Sequence, residues 1–549
     1  MTATTRIVLS AALAMLGASA LALLGAPALR AEEPPFPASA VQADVTFLAD
    51  DLLLGREPGT PGFDIAARFV ATRFQALGLK PAGPDGSWYQ PVVMREARRG
   101  AASAVKLTYG GAAMPIAADQ ALLRASLTDR ALMIEAPLVF AGYGLDRADL
   151  GFDDYRGIDV RGKIVVVLSG FPKGTDSELG AFLGSEKAVM AMKRGAVAVI
   201  TVQTLQDRKR MPWERLIESA GRPSRGWVGS DGQAFVRAGG IKASVTLHPD
   251  VATALFAASG HPLDGVLAAA DQAGGRPRGF ELKAAAQIVS INEWRDIHTE
   301  NVVALLPGSD PALARETVVL SAHLDHLGAG GKGADAIYNG AMDNAAGVAT
   351  MLASARALAA SPSHPRRSVL FAALTGEESG LLGSDYLARH PLPAAGTMIA
   401  DVNFDMPILL YRFSDVVAFG AQHSSMGPIV AAAAKRDGIA LSPDPIPEEG
   451  IFTRSDHFRF VQQGIPSVFM VPGFTGEGEK QFRAFLKDHY HQPGDDLSLP
   501  FDWQAGALFA RVNTHIVEGL ANADQAPRWY QGDFFGHEYA AAAPTAPKP

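Results

Sequence analysis

Cysteine is absent from the 549-residue chain, which excludes disulfide bonds and thiolate metal ligands. Any metal site must therefore use histidine, aspartate and glutamate. Long basic runs are also absent, and the formal net charge is −8, which argues against a nucleic-acid partner. With 48% hydrophobic residues, the chain can bury a large core, and its length is typical of two domains with additional segments.

The first 31 residues are typical of an export signal. Arg6 precedes a long apolar run, and small residues then lead to Ala31, just before Glu32. We expect cleavage near Ala31 and a periplasmic or secreted protein without a stable membrane anchor. A retained anchor is the alternative, because the apolar run is about long enough to span a bilayer. A lipoprotein anchor is excluded, since it would require a cysteine.

Changes in residue pattern along the chain predict its domain organisation. Residues 32–94 are helix-like, 95–290 contain short strand-like runs separated by glycine and proline, and 291–525 alternate strands with helices. The alternation predicts an α/β fold with a mostly parallel central sheet flanked by helices. Residues 526–549 end in an alanine- and proline-rich tail, for which we expect partial disorder. The sequence does not predict the oligomeric state.

Candidate ligands follow several strands of the predicted α/β region. His323 and Asp325 end one strand, Glu377 and Glu378 follow the next, and Asp405 ends a third. A polar stretch at 488–496 follows a fourth strand, and Asp343 stands at the head of an alanine-rich helix. Because open α/β sheets bind ligands beyond the carboxyl ends of their strands, we expect these side chains to converge on one site.

Part of the segment 95–290 resembles a protease-associated domain. The resemblance rests on the runs VFAGYG (139–144), DY (154–155) and DVRGKIVV (159–166). It implies a small β-rich domain, inserted into the catalytic domain, that lies over or beside the active site of exopeptidases without chemistry of its own. The alternative is an unrelated α/β segment.

The segment from 298 to 500 resembles the co-catalytic dizinc aminopeptidase family, which includes glutamate carboxypeptidase-type enzymes. The motifs that carry the resemblance are H-x-D (323–325), G-x-x-D-N-A-x-G (340–347), G-E-E-x-G-L-x-G-S (376–384), N-x-D-M (403–406), R-S-D-H-x-x-F (454–460) and Y-H-x-P-x-D (490–495). Any single motif is weak evidence, whereas the combination is specific.

The resemblance implies two Zn²⁺ ions and a role for each matched residue. Asp343 would bridge the ions, His323 and Asp405 would complete one site, and Glu378 and His491 the other. Such sites keep an open position for water or substrate. Two metals held roughly 3.5–4 Å apart can stabilise the attacking hydroxide and the scissile carbonyl together.

Two further residues have implied catalytic roles. Glu377 resembles the general base of the family, and Asp325 resembles the acceptor that fixes the tautomer of His323. An acidic pair at a helix start is the structural alternative for the glutamates. His326 and His489 are expected to support the site or lie at the surface, and His457 with Asp456 to brace its wall.

The function implied is that of a secreted or periplasmic exopeptidase acting on peptide substrates, most simply an aminopeptidase. A carboxypeptidase-type or other amide hydrolase on the same scaffold, such as a glutaminyl cyclase, remains open. A catalytically inactive receptor-like protein is a third class, which the intact set of matched ligands disfavours. The sequence does not predict the preferred substrate side chain.

Overall fold

The structure is a computed structural model that describes residues 36–330 and 335–549. The predicted export signal, residues 1–31, lies outside the described residues. The strands of the described chain are β1 Lys80–Pro81, β2 Tyr89–Arg99, β3 Ala104–Tyr109, β4 Ala112–Met114, β5 Ala121–Leu123, β6 Ala131–Phe140, β7 Asp146–Arg147, β8 Phe152–Asp153, β9 Ile164–Leu168, β10 Ala198–Val202, β11 Ser224–Trp227, β12 Ala243–Leu247, β13 Phe280–Leu306, β14 Glu316–His323, β15 Gly328–Ala329, β16 Ile337–Tyr338, β17 Ser368–Leu374, β18 Thr397–Phe404, β19 Asp415–Phe419, β20 Ala440–Ser442 and β21 Ser467–Pro472.

Helices cover both faces of the larger sheet and fill the insert. They are α1 Ala38–Leu48, α2 Pro61–Ala76, α3 Ser177–Lys193, α4 Leu205–Arg210, α5 Trp213–Ala220, α6 Pro249–Ala258, α7 Leu263–Ala270, α8 Ala346–Ala360, α9 Leu382–Arg389, α10 Met426–Arg436, α11 His457–Val461, α12 Gly478–Asp488, α13 Trp503–Asn522 and α14 Phe534–Ala540. Among the described residues, none of these helices is long and apolar enough to cross a membrane.

The larger sheet has the order β11-β2-β13-β17-β14-β18-β21-β19-β20, with β1 also paired to the end of β13. Its centre, β17, β14, β18 and β21, is parallel, whereas β13 and β19 join antiparallel on either side. The residues of β14 and β17 are buried almost throughout, as expected for parallel strands covered by helices on both faces. The predicted α/β fold with a mostly parallel central sheet is confirmed.

Small side chains let one helix pack directly on this sheet. Helix α8 is buried along nearly its whole length and contacts β14, α1 and α13. Its alanines permit close approach, and burial on every side compensates for its lack of an amphipathic pattern. Helix α13 begins after Asp502, whose side chain accepts hydrogen bonds from the backbone N–H groups of Gln504 and Ala505.

The insert forms a second sheet that is continuous with the first. Its order is β4-β3-β13-β6-β9-β10-β12-β5, in which β6, β9, β10 and β12 are parallel. The 27-residue strand β13 belongs to both sheets. The predicted boundaries at 94/95 and 290/291 fall inside β2 and β13. At the second boundary the chain passes from one sheet to the other without leaving extended conformation.

A partly buried histidine, His423, joins three parts of the chain. The Nε2 atom of His423 lies 2.9 Å from Glu178 Oε2 in the insert, and its Nδ1 atom lies 2.6 Å from Asp533 Oδ2 in the C-terminal segment. Burial opposes a charge on this ring, but the two carboxylates prevail and raise the pKa of His423 to about 9. In the same segment, where we expected partial disorder, the backbone of Ala546 hydrogen bonds to that of Trp529 and Gln531.

Candidate metal centre

The candidate ligands lie at the carboxyl ends of three adjacent parallel strands. His323 is the last residue of β14, Glu377 and Glu378 follow β17, and Asp405 follows β18. Since β14 pairs with β17 on one side and with β18 on the other, the three strand ends are neighbours at one edge of the sheet. This is the ligand-binding edge of open α/β sheets.

One cluster consists of His323, Asp343 and Asp405, all of them buried. His323 Nε2 lies 3.2 Å from Asp343 Oδ1 and 3.1 Å from Asp405 Oδ1. The second oxygen of Asp405 accepts a hydrogen bond from Ser455 Oγ at 2.6 Å, which fixes the plane of the carboxylate. The arrangement presents one imidazole nitrogen and two carboxylate oxygens toward a common point.

A second cluster surrounds the other oxygen of Asp343. His491 Nε2 lies 3.3 Å from Asp343 Oδ2 and 3.1 Å from Glu378 Oε2. His491 is the most open member, with 28% of its side chain exposed, and its ring stacks on that of Tyr490 at 3.8 Å between centroids. The structure therefore brings together all five residues for which metal binding was expected.

The backbone around Asp343 explains how one carboxylate reaches both clusters. Asp343 lies in the turn Ala341–Ala345, just before α8. The buried carboxylate of Asp495 accepts hydrogen bonds from the backbone N–H groups of Met342 at 2.8 Å and Asp343 at 2.9 Å. These bonds hold the turn, so that Asp343 directs Oδ1 to one cluster and Oδ2 to the other.

His326 is closer to the second cluster than its sequence position suggested. It is 1% exposed, its Nδ1 atom lies 2.6 Å from Glu378 Oε1 and 3.9 Å from Asp343 Oδ2, and these three residues form a possible metal-binding group. Glu378 Oε1 and both ring nitrogens of His326 are buried without a hydrogen-bond partner. The 2.6 Å approach is therefore not a hydrogen bond. We therefore interpret the contact as two potential ligand atoms facing one space.

Asp325 supports the site in a different way from that expected. The Nδ1 atom of His323 lies 3.0 Å from the backbone oxygen of Asp325, whereas the carboxylate atom Oδ1 is 3.9 Å away. Asp325 Oδ1 instead accepts a hydrogen bond of 3.1 Å from the backbone N–H of Glu377. The main chain of Asp325 thus faces the imidazole, and its side chain holds the turn that carries both glutamates.

The two glutamates face different neighbours. Burial raises the pKa of Glu377 well above its ordinary value, and the charges that act on it most strongly are those of His323 and Asp405. For Glu378, burial is outweighed by the imidazoles of His491 and His326, which lower its pKa to about 2. Adjacent residues therefore lie in distinct electrostatic environments, as separate roles would require.

The donor set fits a divalent zinc site. Imidazole nitrogens and carboxylate oxygens are ordinary zinc ligands, and the buried, unpartnered Glu378 Oε1 is an atom that a cation would satisfy. Burial opposes a charge on His491, yet Glu378 and Asp343 raise its pKa to about 10. The same carboxylates that attract this proton would attract a metal ion, so the two compete.

A buried arginine, Arg56, lies behind the centre, and sequence reasoning missed it. Its guanidinium donates hydrogen bonds to backbone oxygens of Leu48, Leu324 (2.8 Å), Asn339 (2.6 Å) and Gly340 (3.1 Å). Burial lowers its pKa to about 10, against the effect of nearby carboxylates. No local pattern marks this residue, because all but one of its acceptors are distant in sequence.

Among the described residues, His489 and His457 form no hydrogen bond or ion pair with the ligand atoms of the two clusters. His489 Nδ1 lies 2.9 Å from the backbone oxygen of Gly494, which places it in a supporting position. His457 is buried, and burial lowers its pKa to about 3. Asp456, beside it, accepts a hydrogen bond from Ser384 Oγ at 2.5 Å, in agreement with a role in the wall of the site.

Comparison with known proteins supports the same class. The model of peptidase family M28 matches residues 301–517, which include every residue of both clusters. Probable leucine aminopeptidase 2 of Aspergillus oryzae is 29% identical over 265 residues, which cover 44% of this chain and 49% of the relative. The region 301–517 is therefore similar to peptidase family M28, in agreement with the predicted resemblance to zinc aminopeptidases.

The fold is similar to that of solved peptidases. An aminopeptidase from Aneurinibacillus sp. strain AM-1 has a TM-score of 0.50 and 20% identity, with 89% of this chain and 95% of that chain covered. A zinc aminopeptidase from Bacillus subtilis has a TM-score of 0.43 and 18% identity, with 88% and 95% covered. The first comparison shows a shared fold. The match to the curated relative spans about half of that protein's length.

Proposed function

We propose that the chain is an aminopeptidase that binds two zinc ions and removes single residues from peptide N-termini. The family match and the aminopeptidases among the similar proteins support the reaction class. The observation that supports a paired centre most directly is Asp343, whose two carboxylate oxygens each face a separate imidazole, His323 and His491. His323, Asp343 and Asp405 would hold one ion, and Asp343, Glu378 and His491 the other.

Two zinc ions in these positions would polarise the scissile carbonyl and make a bound water more acidic. The chain supplies the remaining functions. Glu377 accepts the proton of the attacking water and returns it to the leaving amine. The backbone oxygen of Asp325 accepts a hydrogen bond from Nδ1–H of His323, which leaves Nε2 as the ligand atom. Asp325's carboxylate keeps the Glu377 turn in place.

We further propose that residues 95–290 act as a protease-associated domain that shapes access to this site. The continuous strand β13 and the ion pair between Arg225 of the insert and Glu57 of the N-terminal segment, 2.5 Å long, support a fixed position for the insert. Arg225 also pairs with buried Glu96 at 2.6 Å. The insert would contribute binding contacts and no ligand to the metals.

The proposed function can be tested on purified protein. A panel of aminoacyl coumarylamides should be hydrolysed, and the N-acetylated forms of the same substrates should not. Elemental analysis should find two zinc ions per chain. Removal of zinc by a chelator should abolish activity, and added zinc should restore it. Cleavage of N-blocked peptides from the C-terminus, or full activity in metal-free protein, would contradict the proposal.

A further inference from the structure

A cavity of about 700 Å³ connects the metal centre with the insert. His326 and Glu378 of the metal centre contribute to its lining, and so do Arg124, Arg222 and Lys242 of the insert. Its volume lies within the range of sites that enclose a small ligand. A peptide whose N-terminal residue is cleaved at the centre would have this cavity available for the residues that follow.

The positive and negative charges that line the cavity do not cancel. Of its two lining carboxylates, Glu378 belongs to the metal centre and Glu57 is paired with Arg225. Arg225 is in turn paired with Glu96. The charges of Glu57 and Arg225 are therefore offset by ion pairs. The charge of the insert wall depends on Arg124, Arg222 and Lys242.

Two of these basic residues have no ion pair among the described residues. The guanidinium groups of Arg124 and Arg222 are exposed, and neither has a carboxylate within 4.0 Å in the described parts of the chain. Lys242 Nζ pairs with Asp129 Oδ2 at 3.4 Å, and both side chains are partly exposed. The insert wall is thus positive, although the whole chain carries a net charge of −8.

We propose that Arg124 and Arg222 form a carboxylate-binding subsite that selects short peptides with a free C-terminal carboxylate. The proposal rests on the proposed aminopeptidase function, which places the residues after the cleaved bond in the cavity. Guanidinium groups match the geometry of a carboxylate through paired hydrogen bonds. A cavity of this volume holds a short peptide, whose C-terminal carboxylate could then reach these arginines. An acidic side chain offers the same chemistry and must be distinguished experimentally.

Three peptides and one reference substrate test this subsite, each with the N-terminal residue X that is cleaved best as a coumarylamide. The peptides are X-Gly-Gly, X-Gly-Gly-amide and X-Gly-Asp-amide. We expect the wild type to show a KM at least about 10-fold lower for the free acid than for X-Gly-Gly-amide. In the double variant R124Q/R222Q that difference should disappear.

The controls separate loss of recognition from loss of structure. X-coumarylamide carries no carboxylate, so the double variant should hydrolyse it with unchanged kcat and KM. Arg215→Gln is the matched variant, because Arg215 is an exposed arginine of the insert that does not line the cavity. It should keep the wild-type ratio between acid and amide. A low KM for X-Gly-Asp-amide that is also lost in the double variant would support the subsite and assign it to an acidic side chain.

An unchanged ratio of acid to amide in R124Q/R222Q would overturn the inference. If the wild type hydrolyses none of these substrates, the proposed function fails separately. In that case calorimetric binding of X-Gly-Gly and X-Gly-Gly-amide decides the question. The subsite would be supported if the wild type binds X-Gly-Gly-amide more weakly than X-Gly-Gly and the double variant R124Q/R222Q does not. Equal affinities of the wild type for the two peptides would overturn it.

Discussion

Replacing Arg56 by methionine should destabilise the metal centre without removing any ligand. The side chain is 1% exposed, and its guanidinium bonds to four backbone oxygens. Two of these acceptors, Asn339 and Gly340, lie just before the turn that carries Asp343, and a third, Leu324, follows His323. One side chain therefore connects the N-terminal segment to both chain segments that form the centre.

The expected size of the effect follows from the acceptors left behind. A buried polar group that loses its partner costs about 1–3 kcal/mol. Arg56→Met would remove the guanidinium from the carbonyl oxygens of Leu48, Leu324 and Asn339, whereas the oxygen of Gly340 would keep the backbone N–H of Ala345. Water entry and local relaxation recover part of this cost, so we expect a loss of about 3–5 kcal/mol, the range typical of a disrupted buried charged contact. Arg56→Lys should be intermediate, because an ammonium group has three donors and cannot reach four separated acceptors.

Thermal unfolding monitored by circular dichroism, with zinc content measured on the same samples, would test this reasoning. The control is Arg68→Met, since Arg68 is exposed on α2 and should change stability by no more than about 0.5 kcal/mol. Zinc should raise the unfolding temperature of both variants, because it binds the native state, but Arg56→Met should retain less of it. If Arg56→Met unfolds like Arg68→Met and keeps its zinc, the anchoring role is refuted.

Three other predictions concern side chains in and beyond the centre. Glu377→Gln should keep its metal while slowing turnover about 10²–10⁴-fold, whereas Glu378→Gln should lose zinc by elemental analysis; the opposite metal contents would exchange the two roles. His326→Ala should weaken zinc affinity about 10–100-fold in competition with a chelating dye, and an unchanged affinity would make its contact with Glu378 incidental. Folding raises the pKa of His423 from 6.5 to about 9, so its charge contributes about 3 kcal/mol to the free energy of unfolding. This contribution is fully present below pH 6.5 and is lost as the pH rises through 9. The gap in unfolding free energy between wild type and His423→Gln should therefore narrow over that range, and a constant gap would contradict this assignment.

The sequence alone predicted the elements whose patterns are local. Buried parallel strands such as β14 and β17 are rich in apolar residues, so the sequence alone indicates where they lie and which polar residues end them. The rule that parallel strands present their carboxyl ends at one edge then places His323, Glu378 and Asp405 together. The motifs around Asp343 and His491 added the two remaining ligands, and the family match bears out that resemblance.

Only the tertiary structure decided which atoms of these residues meet. It shows that the backbone oxygen of Asp325, rather than its carboxylate, faces His323, and that His326 turns toward Glu378. Such choices depend on side-chain rotamers and packing within a few ångströms, which residue spacing does not encode. The carboxylate of Asp495 contacts the Asp343 turn from about 150 positions away, so its partner is likewise not evident from local pattern.

The sequence also did not predict the contacts that join the domains. The boundaries drawn from residue pattern fall within β2 and β13. Strand β13 belongs to two sheets, and such a strand can pass between them without any change in residue pattern. The sequence by itself determined which types of residue end each strand of the α/β region. Folding determined that Arg56 lies behind that centre and that Arg124, Arg222 and Arg225 line the adjoining cavity, because contacts between residues far apart in sequence leave no periodic trace along the chain.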